Sequence, residues 1–240
     1  MIKLDLHIHS KYSYDSISDP KIIVKVAKMR GLSGIAITDH NTIKGGLEAK
    51  KYSDENLIVI VGSEITTKEG EVIGLFLEKE IPANLNIIET IEKIHKQNGL
   101  AILPHPFDTH RKHAVQNIDK KILNVIDGIE VLNARSKAGI NANAQKFANE
   151  NKLKITAGSD AHTLLEIGSA GMYIEGMEKV TEEEIMKLLL INNRLKIYLK
   201  PIPRLIYRPF DIIGKNLKKR KITNKYLFYL LNKIQEVIMW

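Results

Sequence analysis

The sequence contains no cysteine, which excludes disulfide bridges, thiolate nucleophiles and Cys-ligated zinc. Any metal held by this chain therefore sits among nitrogen and oxygen donors, a set that suits Zn, Mn, Fe or Mg. Long apolar runs are missing as well. The longest stretch without a charged residue, Gln97–Phe107, is far too short to span a bilayer. The first residues carry Lys3 and Asp5 where a signal peptide would be apolar. The expectation is a cytoplasmic protein with no transmembrane segment. Neither a glycine-rich dinucleotide fingerprint nor a Walker loop is present, which removes the usual supports for an open nucleotide-binding sheet.

Most of the chain also lacks net charge. Of the overall +8, residues 201–240 carry +7, with nine Lys and Arg against Asp211 and Glu236, so residues 1–200 carry only +1. A near-neutral body offers no long phosphate-binding track, whereas the basic tail can act as an electrostatic attachment.

What is present is an alternation of short β-branched runs and helical patterns as far as residue 200. Strands are expected near 2–8, 34–38, 57–63, 100–104, 128–132, 154–158, 170–174 and 195–199, and helices near 19–30, 43–52, 86–98, 138–151 and 181–192. The segment 71–77 is expected to pair with 57–65 as a hairpin, because only a few residues around Lys68-Glu-Gly70 separate them. Seven or eight βα units predict a closed barrel over residues 1–200. Pro201, Pro203 and Pro209 break the pattern and lead to a basic cluster, Lys215 to Lys221, and a final amphipathic helix, making 201–240 a separate helical extension. On that helix Leu227, Leu230, Leu231, Ile234, Val237 and Ile238 form an apolar stripe, expected to dock on the barrel or on a second copy of the chain. A membrane-surface or nucleic-acid role fits the same basic and apolar pattern.

The predicted strands run at their C-terminal ends into candidate metal ligands. The first gives His7 and His9, which alternation along a strand points to one side. Later strands give Asp39 and His40, then Glu64, His105, and Asp160 with His162; five of the eight histidines lie at strand ends. The C-terminal mouth of an α/β barrel is where active sites are built. Singly, a strand-end histidine can be a hydrogen-bonded structural residue, and Asp39 or Asp160 can cap the turn that follows. Glu64 is harder to dismiss, since a carboxylate closing an apolar strand needs a cation or several donors. Together, these residues at one barrel end indicate a site.

The motifs Asp5-Leu-His-Ile-His-Ser, Ile37-Thr-Asp-His-Asn, Gly62-Ser-Glu-Ile, Pro104-His-Pro and Gly158-Ser-Asp-Ala-His resemble, in order and spacing, those of PHP-domain (polymerase and histidinol phosphatase) phosphoesterases. The resemblance spans residues 1 to about 175. It implies an α/β fold, a distorted (β/α)7 barrel, with two or three divalent ions at the C-terminal mouth. His7, His9, Glu64 and Asp160 would hold one ion and catalyse through its bound hydroxide. Asp15, His40 and His162 would hold a second, and Glu64 would bridge to a third with His105. Where many relatives have a further histidine this chain has Asn133, a weak neutral ligand; where some have a histidine near 71–77 it has Glu71, an alternative ligand or a solvated carboxylate.

The expected reaction is hydrolysis of a phosphate ester by a metal-bridging hydroxide, since divalent ions neutralise phosphoryl oxygens and bring the pKa of bound water to roughly 7. Mixed His/Asp ligation suits Zn, Mn or Fe better than Mg. Arg135, two residues beyond Asn133, is the leading phosphate clamp if it is not simply a surface arginine, and Arg111 and His113 can reach over the mouth from their loop. The expected substrate is a small phosphorylated metabolite or nucleotide. The alternatives are a nuclease that uses the basic tail, a non-catalytic metal-binding or phosphate-sensing module, and a C–N hydrolase of related barrel type.

Overall fold

The short strands are buried on both faces, the signature of a parallel sheet covered by helices. The structure, a computed structural model, describes residues 1–191, 194–200, 202–222 and 224–238. Residue 192 of the last expected barrel helix and Pro201 lie outside the described residues. The chain runs β1 (Ile2–Ile8), α1 (Pro20–Met29), β2 (Gly34–Ile37), α2 (Lys44–Lys50), β3 (Ile58–Thr66), β4 (Glu71–Leu75), α3 (Ile87–His95) and β5 (Leu100–Leu103). It continues with α4 (Lys120–Leu123), β6 (Gly128–Asn133), α5 (Ala138–Asn151), β7 (Lys154–Gly158), β8 (Ala170–Ile174), α6 (Glu182–Ile191), β9 (Lys196–Leu199), α7 (Arg204–Lys219) and α8 (Lys225–Ile238).

The sheet order is β7-β6-β5-β4-β3-β2-β1-β8-β9. β7 returns to β1 through a parallel bridge between Ile8 and Ala161, and the His9 amide donates to the Ala161 carbonyl at 2.9 Å. This makes a nearly closed, seven-stranded barrel. Closure depends on Gly158: a Cβ there would fall on the Cβ of His7 and lie 2.8 Å from its backbone nitrogen. β3 and β4 form the expected hairpin, and β4 is antiparallel to β5 as well, which is the distortion of the barrel. The structure is thus the expected distorted seven-stranded α/β barrel, in which β4 follows β3 with no helix between them and β8 and β9 are antiparallel additions beside β1.

Local chemistry sets the helix limits. Asp19 caps α1 by accepting from the Lys21 amide, Pro20 opens it, and Gly31 at φ +67° follows its end. Its face Ile23, Val24, Val26 and Ala27 packs with Ile8, Ile35 and Ile37 in one apolar cluster, each buried Ile or Val contributing about 1.5–3 kcal/mol.

The last forty residues depart from the sequence-based expectation in two ways. Pro209 lies inside α7 instead of breaking the chain. The carbonyl freed there belongs to Leu205, which is 87% exposed, so water can satisfy it. In α8 the docked face is largely polar: Leu231, Asn232, Gln235 and Glu236 are buried, whereas Leu230, Ile234, Val237 and Ile238 of the apolar stripe are exposed. Asn232 accepts from the Asp19 amide and donates to the Ile17 carbonyl, and Gln235 accepts from the Leu164 amide. These side chains satisfy loop backbone that hydrophobic residues would leave unpaired. Among the described residues no helix is long and apolar enough to cross a membrane.

Asn232→Ala removes bonds to two backbone groups, a loss of about 1–3 kcal/mol. Trypsin cleavage in the adjacent run Lys219-Arg-Lys221 is expected to accelerate roughly tenfold as α8 opens locally; an unchanged rate would show that these bonds do not hold the helix.

Candidate metal centre

β1, running up to the mouth, delivers His7 and then His9; the loop beyond it adds Asp15. His40 follows β2, Glu64 lies in β3, His105 follows β5, and Asp160 with His162 follow β7. Glu71 comes to the same place by a different route. β4 runs against its neighbours, so its first residue stands at the mouth, paired in register with Thr66. All of these side chains except Asp15, which is about nine-tenths buried, are fully or almost fully buried.

Glu64 is the hub. Its Oε2 lies 3.5 Å from His7 Nε2, 3.4 Å from His9 Nε2 and 3.3 Å from His40 Nδ1, and its Oε1 accepts from His105 Nε2 at 2.9 Å. Four sets of donor atoms each lie within 4.8 Å of one another: His9, Asp15, His40 and His162; His7, His105 and Asp160; His7, His9 and Glu64; and His40, Glu64 and Glu71.

The hydrogen bonds around the imidazoles fix which nitrogens face inward. His7 Nδ1–H donates to Glu130 Oε1 at 3.0 Å, which turns Nε2 inward, only 3.1 Å from His9 Nε2. His162 Nδ1–H donates to the Asp160 carbonyl at 2.8 Å, so its Nε2 lone pair faces Asp15 Oδ2 at 2.8 Å. Acceptors that face each other this closely require a proton or a cation between them. Asp15 Oδ1, His40 Nδ1, His105 Nδ1 and Asp160 Oδ1 are buried with no hydrogen-bond partner, a costly condition that a bound ion would relieve.

The electrostatics agree. Burial and the charge of Glu64 push the Glu71 carboxyl up to about 8. Burial acts to lower the pKa of His40, yet Glu64, Asp15 and Glu71 together raise it to about 9. Burial depresses His9 to about 3. The cluster therefore retains protons on Glu71 and His40 that compensate crowded carboxylates, and metal ligation would displace them. Two positions are held in left-handed backbone, His105 at φ +32° and Asp160 at φ +54°, a strain of order 1–3 kcal/mol each that concentrates at functional sites.

Around this floor a cavity of about 470 Å³ opens to solvent. Arg111 and His113 line it, as does Arg135. Arg135 is engaged within the protein: its guanidinium makes a bidentate pair with Glu166 at 2.7 and 2.8 Å and reaches Asp211 at 3.1 Å. Arg111 bonds Asp108 and Asn133 at 3.3 Å and pairs with Asp160. Asn133 has both ends occupied, donating to Glu130 and Asp160 and accepting from Arg111 and from the Arg135 amide.

Sequence reasoning missed Glu130, although a carboxylate inside the apolar strand Gly-Ile-Glu-Val-Leu-Asn was a signal. Besides orienting His7, it accepts from the His105 amide at 2.9 Å. It also missed Tyr14, whose ring stacks on His40 at 4.5 Å and 17°, and the α7 residues that line the cavity. Glu130→Gln is expected to weaken metal binding about 10–100-fold, read by calorimetric titration, because the partner that orients His7 is lost.

The family model described as PHP domain matches residues 5–179. Among curated proteins, an uncharacterised protein of Methanocaldococcus jannaschii is 48% identical over 151 residues, 58% of this chain and 86% of the relative. A second uncharacterised protein of that organism is 33% identical over 202 residues, 80% of this chain and 81% of the relative. Among solved structures, a two-domain protein from Bacteroides vulgatus containing a predicted PHP-like metal-dependent phosphoesterase superposes with a TM-score of 0.68 at 19% identity, over 82% of this chain and 64% of that one. Endonuclease Q in complex with a 27-mer duplex substrate bearing an abasic lesion gives 0.59 at 20% identity, over 81% and 58%. The chain spans less than two thirds of either structure, and at these identities the likeness is one of fold. The span matched by the family model takes in β1 from Asp5 onward, the other six barrel strands and all the ligand groups described above, and the chain belongs to the PHP domain family.

Proposed function

We propose that this chain is a metal-dependent phosphoesterase that hydrolyses a small phosphorylated metabolite or nucleotide at the barrel mouth. The observation that carries this reading is the convergence on Glu64 of buried, partnerless ligand atoms beneath an open cavity of about 470 Å³, a volume suited to a nucleotide-sized molecule. Its basis also includes membership of the PHP domain family and a fold shared with a PHP-like metal-dependent phosphoesterase.

In this reading His7, His9, Glu64 and Asp160 hold one divalent ion, and Asp15, His40 and His162 a second. Glu64 and His105 serve a third position, beside which Asn133 is already hydrogen-bonded and Glu71 stands as a further carboxylate. Bound divalent ions would neutralise phosphoryl oxygens and acidify water for attack on phosphorus. The protein's own groups have definable tasks. Glu130 and the Asp160 carbonyl hold the rings of His7 and His162 so that Nε2 faces inward. Ser13 bonds His9 Nδ1 and also accepts from the His40 backbone amide, tying the His9 ring to the chain that carries His40. Arg111, the guanidinium nearest Asp160, contributes fixed positive charge where a phosphoryl group would sit. His113 lies on the same loop at the rim.

A second reading, a nuclease of the same chemistry, is favoured by the basic α7 beside the cavity and by the fold likeness to Endonuclease Q, solved with a DNA duplex.

A panel of nucleotides, sugar phosphates and short oligonucleotides, assayed with Mn, Zn, Fe and Mg, is expected to reveal turnover that a chelator abolishes. His9→Ala combined with Asp160→Ala should lower it by at least about 10³-fold, and full activity in that variant would overturn the site. With free metal a thousandfold above its Kd, the wild-type chain should gain about 4 kcal/mol and melt roughly 10 °C higher. The double variant should show little of that shift.

A further inference from the structure

Two helices of this chain are docked in reverse. An amphipathic helix ordinarily buries its apolar stripe and turns its polar side to water. In α7 the side held against the barrel is Tyr207, Asp211, Gly214 and Lys218, one stripe at helical spacing. Asp211 bonds Arg135 at 3.1 Å, the Tyr207 ring lies 5.6 Å from the same guanidinium, a Cβ added to Gly214 would lie 3.4 Å from Ile17, and Lys218 donates to the Lys11 carbonyl. The opposite side carries Leu205, Ile206, Ile212 and Ile213, all exposed. In α8 the arrangement repeats. Leu231, Asn232, Gln235 and Glu236 are buried against the barrel, and Tyr226, Leu230, Ile234 and Val237 point away from it.

This exposure is concentrated. More than half of the exposed large apolar side chains among the described residues lie between Leu205 and Ile238, and both helices pack against the same short turn, Leu164–Glu166. Apolar surface gathered in this way marks an interaction site. Its charge points to what it meets. Residues 201–240 hold nine Lys and Arg, and the exposed Lys219, Arg220 and Lys221 lie where α7 gives way to α8. The two carboxylates of the segment are already engaged, Asp211 with Arg135 and Lys215, and Glu236 with Lys25 and Lys233. A second copy of the chain seated here by two-fold symmetry would oppose one basic surface to another, with neither of these carboxylates free to offset it. An anionic lipid surface supplies both missing halves, acyl chains for the apolar stripes and headgroup charge for the lysines and arginine.

We propose that α7 and α8 form a peripheral membrane-binding surface, which seats its apolar stripes at the headgroup boundary of an anionic bilayer. Such attachment does not depend on which ester the barrel hydrolyses, or on whether it hydrolyses one. Nor does it need a spanning segment, because helices of this kind lie in the plane of the interface. The inner side of α7 lines the cavity through Arg204, Arg208 and Lys215. A helix resting on lipid by its outer side therefore sets that cavity wall about one helix diameter, roughly 10 Å, from the surface.

The test is co-sedimentation of the full chain with vesicles of phosphatidylcholine alone, or of phosphatidylcholine mixed with about one third phosphatidylserine. Partition onto the mixed vesicles is expected to be at least roughly tenfold stronger, and to weaken as salt is raised. Leu205→Ser alters a side chain that is 87% exposed, so the fold does not depend on it, and should lower the partition about tenfold. Ile212→Ser combined with Ile234→Ser should lower it further, the melting temperature of each variant reporting that the chain is folded. Lys219→Gln, Arg220→Gln and Lys221→Gln together should lower binding to the mixed vesicles by roughly 10- to 100-fold. Failure to sediment with either vesicle, or equal partition onto both, overturns the proposal. Binding lost in the glutamine variant but kept in every serine variant would describe attachment by charge alone, and overturns it too. So does a dimer in analytical ultracentrifugation that the serine variants dissociate, with no vesicle binding, since a second copy then covers the face.

Discussion

The structure is organised around a buried excess of negative charge. Glu64 sits among the rings of His7, His9, His40 and His105, and Asp15, Glu71 and Asp160 complete the groups around it. Carboxylates removed from water at such density cannot all remain ionised without cations, which is why the Glu71 carboxyl is pushed up to about 8 and the His40 imidazole to about 9. Second-rank contacts serve this cluster. Glu130, Ser13 and the Asp160 carbonyl turn rings inward, and Arg111 offsets Asp160 from above. A site of this kind is poised to exchange protons for metal, and its design is legible as ligand orientation before any ion is considered.

The barrel exists in the form that this cluster requires. β7 can approach β1 closely enough to close the wall only because Gly158 has no side chain against His7, and the same contact brings Asp160 and His162 beside His7 and His9. On the opposite side the reversal of β4 turns a strand beginning into a mouth position, and so admits Glu71. An ideal barrel of identical βα units would present strand ends alone at that face.

The C-terminal helices are bound to the barrel by polar rather than apolar contacts. α8 seats Asn232 and Gln235 on open backbone of the loops, and α7 is held through the Asp211–Arg135–Glu166 chain of ion pairs. The Arg135 guanidinium is thus drawn into a strut between β6, the turn after β7 and α7. Cations from the helix it positions, Arg204 and Arg208, reach the cavity in addition.

The sequence by itself determined the alternation of strands and helices, the hairpin at β3 and β4, and the ligands at the strand ends, because those features are local. A two-residue period aims His7 and His9 together, and a carboxylate such as Glu64 within an apolar strand announces a compensating partner. Asp15 lies in a loop with no periodic cue, so it was visible only through family resemblance. Tertiary structure alone decided the rest. Whether Arg135 is free or paired depends on Glu166 and Asp211, 31 and 76 residues away, and whether Pro209 breaks a helix depends on whether the carbonyl it frees can reach water. Which face of α8 is buried depends on the unpaired amides and carbonyls of loops far away in sequence, for which Asn232 and Gln235 are better partners than the leucines of the stripe. Long-range hydrogen bonds and ion pairs have no period along the chain, and only the folded arrangement specifies them.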